Sequence, residues 1–185
     1  MRNCIIASLK QRYNMCTLIL EFFIFSIAGW GWEVLLYGYQ HHAFINRGVL
    51  HGPWLPIYGS GSMLILILLG GLRKRPVKLF LITMVLCGVI EYVTAAFLEM
   101  AFHEAWWDYS NMLFQIQGKV SLIGLLLFGA GGLAIIYSVA PYLDRIIKYV
   151  PSVWQYVLCI LLSIVFAADI IFSLHRPNAG MGITF

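Results

Sequence analysis

Charged side chains are scarce in this chain. Asp, Glu, Lys and Arg make up 11% of its 185 residues, where a soluble domain carries about 25%. Apolar residues make up 61%, and mean hydropathy is +0.85. A soluble fold of that composition would leave far too much apolar surface in water. Paired cysteines are lacking too. Cys4, Cys16, Cys87 and Cys159 form no CxxC, so neither a disulfide framework nor a zinc site is implied. The histidine pair His41–His42 has no third ligand at metal spacing and reads as solvated. No GxxxxGK[ST] occurs, which excludes a P-loop ATPase within the chain. No cofactor or metal is expected. There is no long polar tract, linker or repeat. The net charge of +4 does not point to nucleic acid, because the basic residues sit in short connections between apolar runs, where membrane topology explains them.

What is present is a series of apolar runs. Residues 1–16 are polar and basic; an apolar stretch follows from Thr17 to about Gly38. It exceeds the ~7–15 residues of a signal-peptide core and has no small-residue cleavage site, so it reads as a retained helix. Further runs cover about 56–72, 79–102, 120–140 and 153–174. Each approaches the ~20 residues that cross a bilayer core of ~30 Å. The expectation is an all-α integral membrane protein, a single polytopic domain over 1–185 with five spans, multi-pass in the cell membrane. The second run is the shortest and reads as tilted or partly re-entrant. With five spans, Arg2, Lys10 and Arg12 share a side with Arg73, Lys74, Arg75 and Lys78 and with Arg145 and Lys148. The other side carries Arg47, Lys119 and Arg176. The excess marks the cytoplasmic face, which puts the N-terminus inside and the C-terminus outside.

The stretch that stands apart is NRGVLHGPWLPIYG, residues 46–59. Pro53 and Pro56, three apart, do not both fit inside a helix, but they fit a loop that leads into a helix start. Four acids fall within the expected spans: Glu33, Glu91, Glu99 and Asp169. A charge at bilayer depth costs at least ~2.5–3.5 kcal/mol and usually faces the bundle interior or a wet cavity. Glu33, Glu99 and Asp169 lie in the final third of their runs, and Glu91 lies deeper. Ser26, Gly29, Trp30 and Glu33 share one helical face, whose small members permit close approach of another helix. These features suggest an outward-opening polar cavity, walled by Glu33 and Glu99, with the 46–59 loop and Trp106–Ser110 at its rim.

Blander readings stand beside this one. Trp106, Trp107 and Tyr109 also suit an interfacial aromatic belt. His51 also suits a hydrogen bond within its own loop, and Arg47 a structural partner for a membrane carboxylate. Glu33 and Glu99 also suit interhelical bonding, and Asp169 a wet helix end. Asp108 is equally at home as an exposed loop carboxylate. Glu21 sits near the inner end of the first run. The GAGG cluster at 129–132 suits close helix packing.

The segments GWGWE (29–33), NRGVLHGPWLPIYGSG (46–61), Glu91-Tyr92 with Glu99, WWDYS (106–110) and QGKVSLIGLLLFG (117–129) resemble the Putative ABC-transporter type IV membrane family over about residues 20–145. The family's asparagine–glycine–arginine is here Gln117-Gly118-Lys119, which keeps the charge but loses the bidentate fork. The resemblance implies a bacterial permease with a separate ATPase subunit as partner. Five spans are few for a transporter, which adds a homo-oligomer to the expected partners, beside the lipid bilayer.

Two functions remain open on sequence. A permease-like component would move a small solute with Glu33, Arg47, His51, Tyr58, Glu91, Trp107, Asp108 and Lys119 as binding residues. An integral-membrane enzyme or lipid-binding protein would act at the outer leaflet, with His51 as acid or base, helped by Glu99 or Asp108.

Overall fold

A computed structural model describes residues 14–42 and 44–178, with the side chain of His41 left out. Arg2, Lys10 and Arg12, on which part of the charge asymmetry rests, lie outside the described residues, as does Cys4. Helix α1 spans Met15–His41. After the 46–55 loop, α2 runs Pro56–Leu64 and continues through a π turn at Ile65–Leu69 and a 3-10 turn at Gly70–Leu72. Helix α3 spans Pro76–Phe102. A small antiparallel hairpin follows, β1 (Gln115–Ile116) against β2 (Val120–Ser121), in the register Gln115↔Ser121 and Ile116↔Val120. Helix α4 (Leu122–Ala134) passes through a π turn at Ile135–Val139 into α5 (Ala140–Tyr149), and α6 spans Ser152–His175.

Four of these segments are long and apolar enough to cross a membrane: Met15–Gln40, Pro76–Phe102, Leu122–Tyr149 and Ser152–His175. The fifth, Pro56–Leu72, is a shorter apolar helix. At 1.5 Å per residue its length is about 26 Å. The expected inner loop at 141–152 is mostly helix, because α4 runs straight on into α5 and only Val150 and Pro151 separate α5 from α6.

The helix starts follow local chemistry. Pro56 and Pro76 stand in the first turns of α2 and α3, where their missing N–H costs nothing. Val120 and Ser121, expected inside the fourth span, are strand instead. Ser121 then caps α4, its hydroxyl accepting from the Gly124 N–H at 3.1 Å, a contribution of about 1 kcal/mol.

Glycines set the interhelical distances. A Cβ on Gly129 would lie 2.6 Å from the Phe80 ring, one on Gly132 2.5 Å from Thr83, and one on Gly88 2.5 Å from Leu125. These three contacts lock α3 against α4, as the GAGG cluster suggests. On the other side, Gly59 of α2 meets Ser26 and the Phe22 carbonyl of α1. An apolar core of Ile65, Leu66, Leu69, Leu79, Cys87, Ile136 and Ala140 joins α2, α3 and the α4–α5 junction. A second, of Cys16, Leu20, Ile147 and Cys159, joins α1, α5 and α6.

Candidate functional site

The face of α1 bearing Ser26, Gly29, Trp30 and Glu33 receives the 46–59 loop along its whole length. The Ser26 carbonyl accepts from the Leu55 N–H at 2.9 Å. Gly29 leaves room for the Tyr58 ring, which a Cβ there would approach to 2.3 Å. The Trp30 indole donates to Asn46 Oδ1 at 2.6 Å. Glu33 then accepts the Tyr58 hydroxyl at 2.5 Å on Oε1, and its Oε2 lies 4.0 Å from Arg47 Nε. Arg47 is buried and stacks over the Tyr37 ring at 5.0 Å.

Glu91 of α3 faces the same group. It is close enough to Glu33 for the two carboxylates to repel, and Tyr58 feels both. The Tyr109 hydroxyl reaches Glu91 Oε1 at a long 3.3 Å, while Glu91 Oε2 is buried and has no hydrogen-bond partner. Burial raises the Tyr109 phenol well above its ordinary value, and Glu91 and Glu33 push it the same way. Tyr109 therefore stays a neutral donor. Two carboxylates from two helices, two tyrosines and a buried arginine thus share one polar group between α1, α2, α3 and the loops.

His51 belongs to a different group. Its ring Nδ1 lies 3.0 Å from the Ser173 hydroxyl, and its N–H donates to Asp169 Oδ1 at 3.1 Å. Asp169 also accepts from the Gly52 N–H (2.9 Å), the Trp54 indole (2.6 Å) and the Ser173 hydroxyl (3.2 Å). Trp54 is buried among Phe23 and Phe166. Asn178 adds bonds to the carbonyls of Asn46, Gly48 and Val49. These contacts knot the loop to the end of α6. Gly48, at φ +96°, supplies the left-handed turn that the knot requires.

Glu99 stands in a third group. Its partner is Lys119 Nζ at 2.6 Å, and over half of its side chain is exposed. The Trp107 indole donates to the Lys119 carbonyl at 3.0 Å, and Tyr92 donates to Gln117 Oε1 at 2.6 Å. Asp108 is exposed and accepts both the hydroxyl and the N–H of Ser110. Those two bonds hold its carboxyl below the usual carboxylate range, with Lys119 assisting. Trp106 is buried against Phe102.

The single pit expected from sequence is therefore divided. Glu33 and Glu91 face one shared polar group; Glu99 pairs with the hairpin, and His51 with α6. Arg47 and Tyr58 join the Glu33 group. Trp107, Asp108 and Lys119 stay together in the hairpin group, their visible bonds holding that loop. A hollow of about 430 Å3 opens at the opposite end of the helices, lined by Asn14, Thr17, Asp144, Lys148 and Gln155 among others.

The model of the Putative ABC-transporter type IV family matches residues 20–174. The chain belongs to that family. No curated protein and no solved structure matches it. Within this family member, the motif segments fall on the contacts described above. GWGWE is the α1 face under the loop, NRGVLHGPWLPIYGSG is the loop and the start of α2, and WWDYS with QGKVS builds the hairpin beside Glu99. Lys119, where an arginine is expected, holds Glu99 through a single ammonium, and nothing about that contact calls for a fork.

Tyr109 as the partner of Glu91 and Asp169 as the anchor of the loop escape sequence reasoning. Tyr109 stood out only as part of an aromatic cluster, and Asp169 only as a helix-end acid. The donors that fill Asp169 lie over a hundred positions away, and no local pattern announces them.

Proposed function

We propose that this protein is a permease-like membrane component whose solute site is the Glu33–Tyr58–Arg47–Glu91–Tyr109 group. One observation carries the reading: Glu91, midway along α3, keeps a buried carboxylate oxygen without a partner among the described residues, within electrostatic reach of Glu33. Buried acids held for structure alone are filled by donors. An under-filled carboxylate near a second one, with tyrosine donors at its edge, suits a cationic or hydroxyl-bearing solute, or protons moving with one. Family membership agrees with a transport role. In this reading all five helices are spans, the N-terminus is inside, and the loop end faces outward, as the basic residues suggest. An ATPase partner would meet the inward end, where α5 and residues 73–75 present Arg73, Lys74, Arg75, Arg145 and Lys148.

The enzymatic reading gains less. In that reading His51 would act on a lipid headgroup, helped by Glu99 or Asp108. Instead its ring and N–H are engaged by Ser173 and Asp169, and those contacts serve to hold the loop.

The test is flux in proteoliposomes holding the full chain and any co-purifying ATPase, across a panel of small cations and polyols. Loss of flux in both Glu33→Gln and Glu91→Gln supports the site. Wild-type flux in Glu91→Gln removes it.

A further inference from the structure

Glu21 lies on α1 near the end opposite the loop. Its side chain is wholly buried, and among the described residues neither carboxylate oxygen has a hydrogen-bond partner. Two neighbours define its surroundings. Thr17, one turn earlier on the same side of α1, is buried and lines the 430 Å3 hollow. Asp144 of α5 lines the same hollow and is close enough to repel Glu21. The cation next to it is already taken, because Lys148 binds Asp144 at 2.6 Å. From α6 comes Cys159, which donates to the Cys16 carbonyl. On α5 the remaining titratable groups, Tyr142, Arg145 and Tyr149, are exposed, as is Tyr156 of α6, while Asp169 and His175 lie toward the other end of α6; among the described residues no group donates a hydrogen bond to Glu21. An isolated carboxylate out of water costs several kcal/mol, and a small cation relieves that cost. Glu21 carries one negative charge, so a single positive charge balances it.

We propose that Glu21 is an uptake site for a monovalent cation, a proton or sodium, that enters from the hollow past Thr17 and Asp144. The site stands on its own geometry, but its role rests on the transport reading above. Further along α1, the Ser26 hydroxyl is also buried and without a partner, and Glu33 follows.

Dicyclohexylcarbodiimide labelling of the purified full chain in detergent tests this. The reagent couples to protonated carboxyls, and exposed acids are ionised at about pH 7. Peptide mass spectrometry should show Glu21 modified there and Asp108 not. Glu21→Gln should abolish the α1 label. Asp144→Asn, which removes a repelling charge, should lower the label by about twofold or more. Suppression by sodium chloride but not by choline chloride identifies sodium. Insensitivity to sodium with loss of label on raising the pH identifies a proton. An unmodified Glu21 at about pH 7, or an α1 label that survives Glu21→Gln, overturns the proposal. If Glu21 labels while Glu91→Gln transports normally, the cation site stands and the transport reading falls. If Glu91→Gln abolishes flux and Glu21 does not label, the reverse holds.

Discussion

Asp169 and Glu91 are both acids on apolar helices, and the fold treats them in opposite ways. Asp169 is filled: two backbone N–H groups, an indole and a hydroxyl converge on its two oxygens. Glu91 has one long bond from Tyr109 and a buried oxygen with nothing. A carboxylate surrounded by donors is a fixture that holds a loop in place. A carboxylate left short beside a second one is a group still able to take something up. Satisfaction, more than depth or sequence position, separates structural from candidate functional acids here.

The sharpest way to break that comparison is to empty the filled site. Asp169→Ala strands the His51 and Gly52 N–H groups and the Trp54 indole. A lost charged acceptor with donors left behind costs about 3 kcal/mol. Thermal unfolding in detergent should show the lowered midpoint, and limited proteolysis should cut within 46–55. An unchanged midpoint would mean that the knot does not hold the loop.

A somewhat smaller effect should follow from filling the space beside Glu33. Gly29→Ala places a methyl against Tyr58 Cβ and Cγ, the base of the side chain, which cannot swing clear as a flexible tip could. Overpacking of this kind costs about 1–3 kcal/mol. The same push moves the Tyr58 hydroxyl off Glu33, so both stability and flux should fall. Gly31→Ala on the same helix is the control, because nothing lies within 4 Å of a Cβ there. Equal effects at the two positions would detach Gly29 from the site.

Third comes the under-filled site itself. Glu91→Gln should lower flux by about tenfold or more, ~1.4 kcal/mol on the barrier, while the unfolding midpoint moves much less than in Asp169→Ala. The two variants then separate by readout: one loses the fold, the other the activity. A Glu91→Gln chain that is as unstable as Asp169→Ala would erase the distinction.

The sequence shows the parts of this arrangement that depend on periodicity. The apolar runs give the helices, and the i, i+3, i+4, i+7 spacing of Ser26, Gly29, Trp30 and Glu33 gives the α1 face that meets the loop. Gly129 and Gly132 mark the close α3–α4 contact, and Pro56 marks the start of α2. Partner choice across distant segments is not periodic, and there the reading thins. Depth alone places Glu99, eight residues from Glu91, with Glu33, yet Lys119 captures it from the hairpin. The polar face of helix α5 reads as a connection between apolar runs, so its helical character is not legible from hydropathy. Glu21 stands near a helix end, four residues after Thr17, and nothing in that local pattern encodes its complete burial, which needs the tertiary packing around α1.

The smallest effect belongs to the third acid. Glu99 and Lys119 meet at 2.6 Å, but Glu99 is more than half exposed. Water and salt screen such a pair, and exposed ion pairs contribute about 0–1 kcal/mol. Lys119→Ala should therefore move the unfolding midpoint only slightly, and raised salt should shrink even that difference. Asp108 tightens the expectation. Its carboxyl is held below the ordinary range chiefly by Ser110, so the turn keeps its charge-assisted bonds at neutral pH and loses them only as the pH falls through that lowered value. Lys119 is its secondary support, so the hairpin should survive the substitution while Trp107 still reaches the backbone carbonyl at position 119. Flux should stay at the wild-type level. A Lys119→Ala chain that lost flux as fully as Glu91→Gln would return the hairpin to the solute path, and the division of the acids into separate groups would no longer separate their roles.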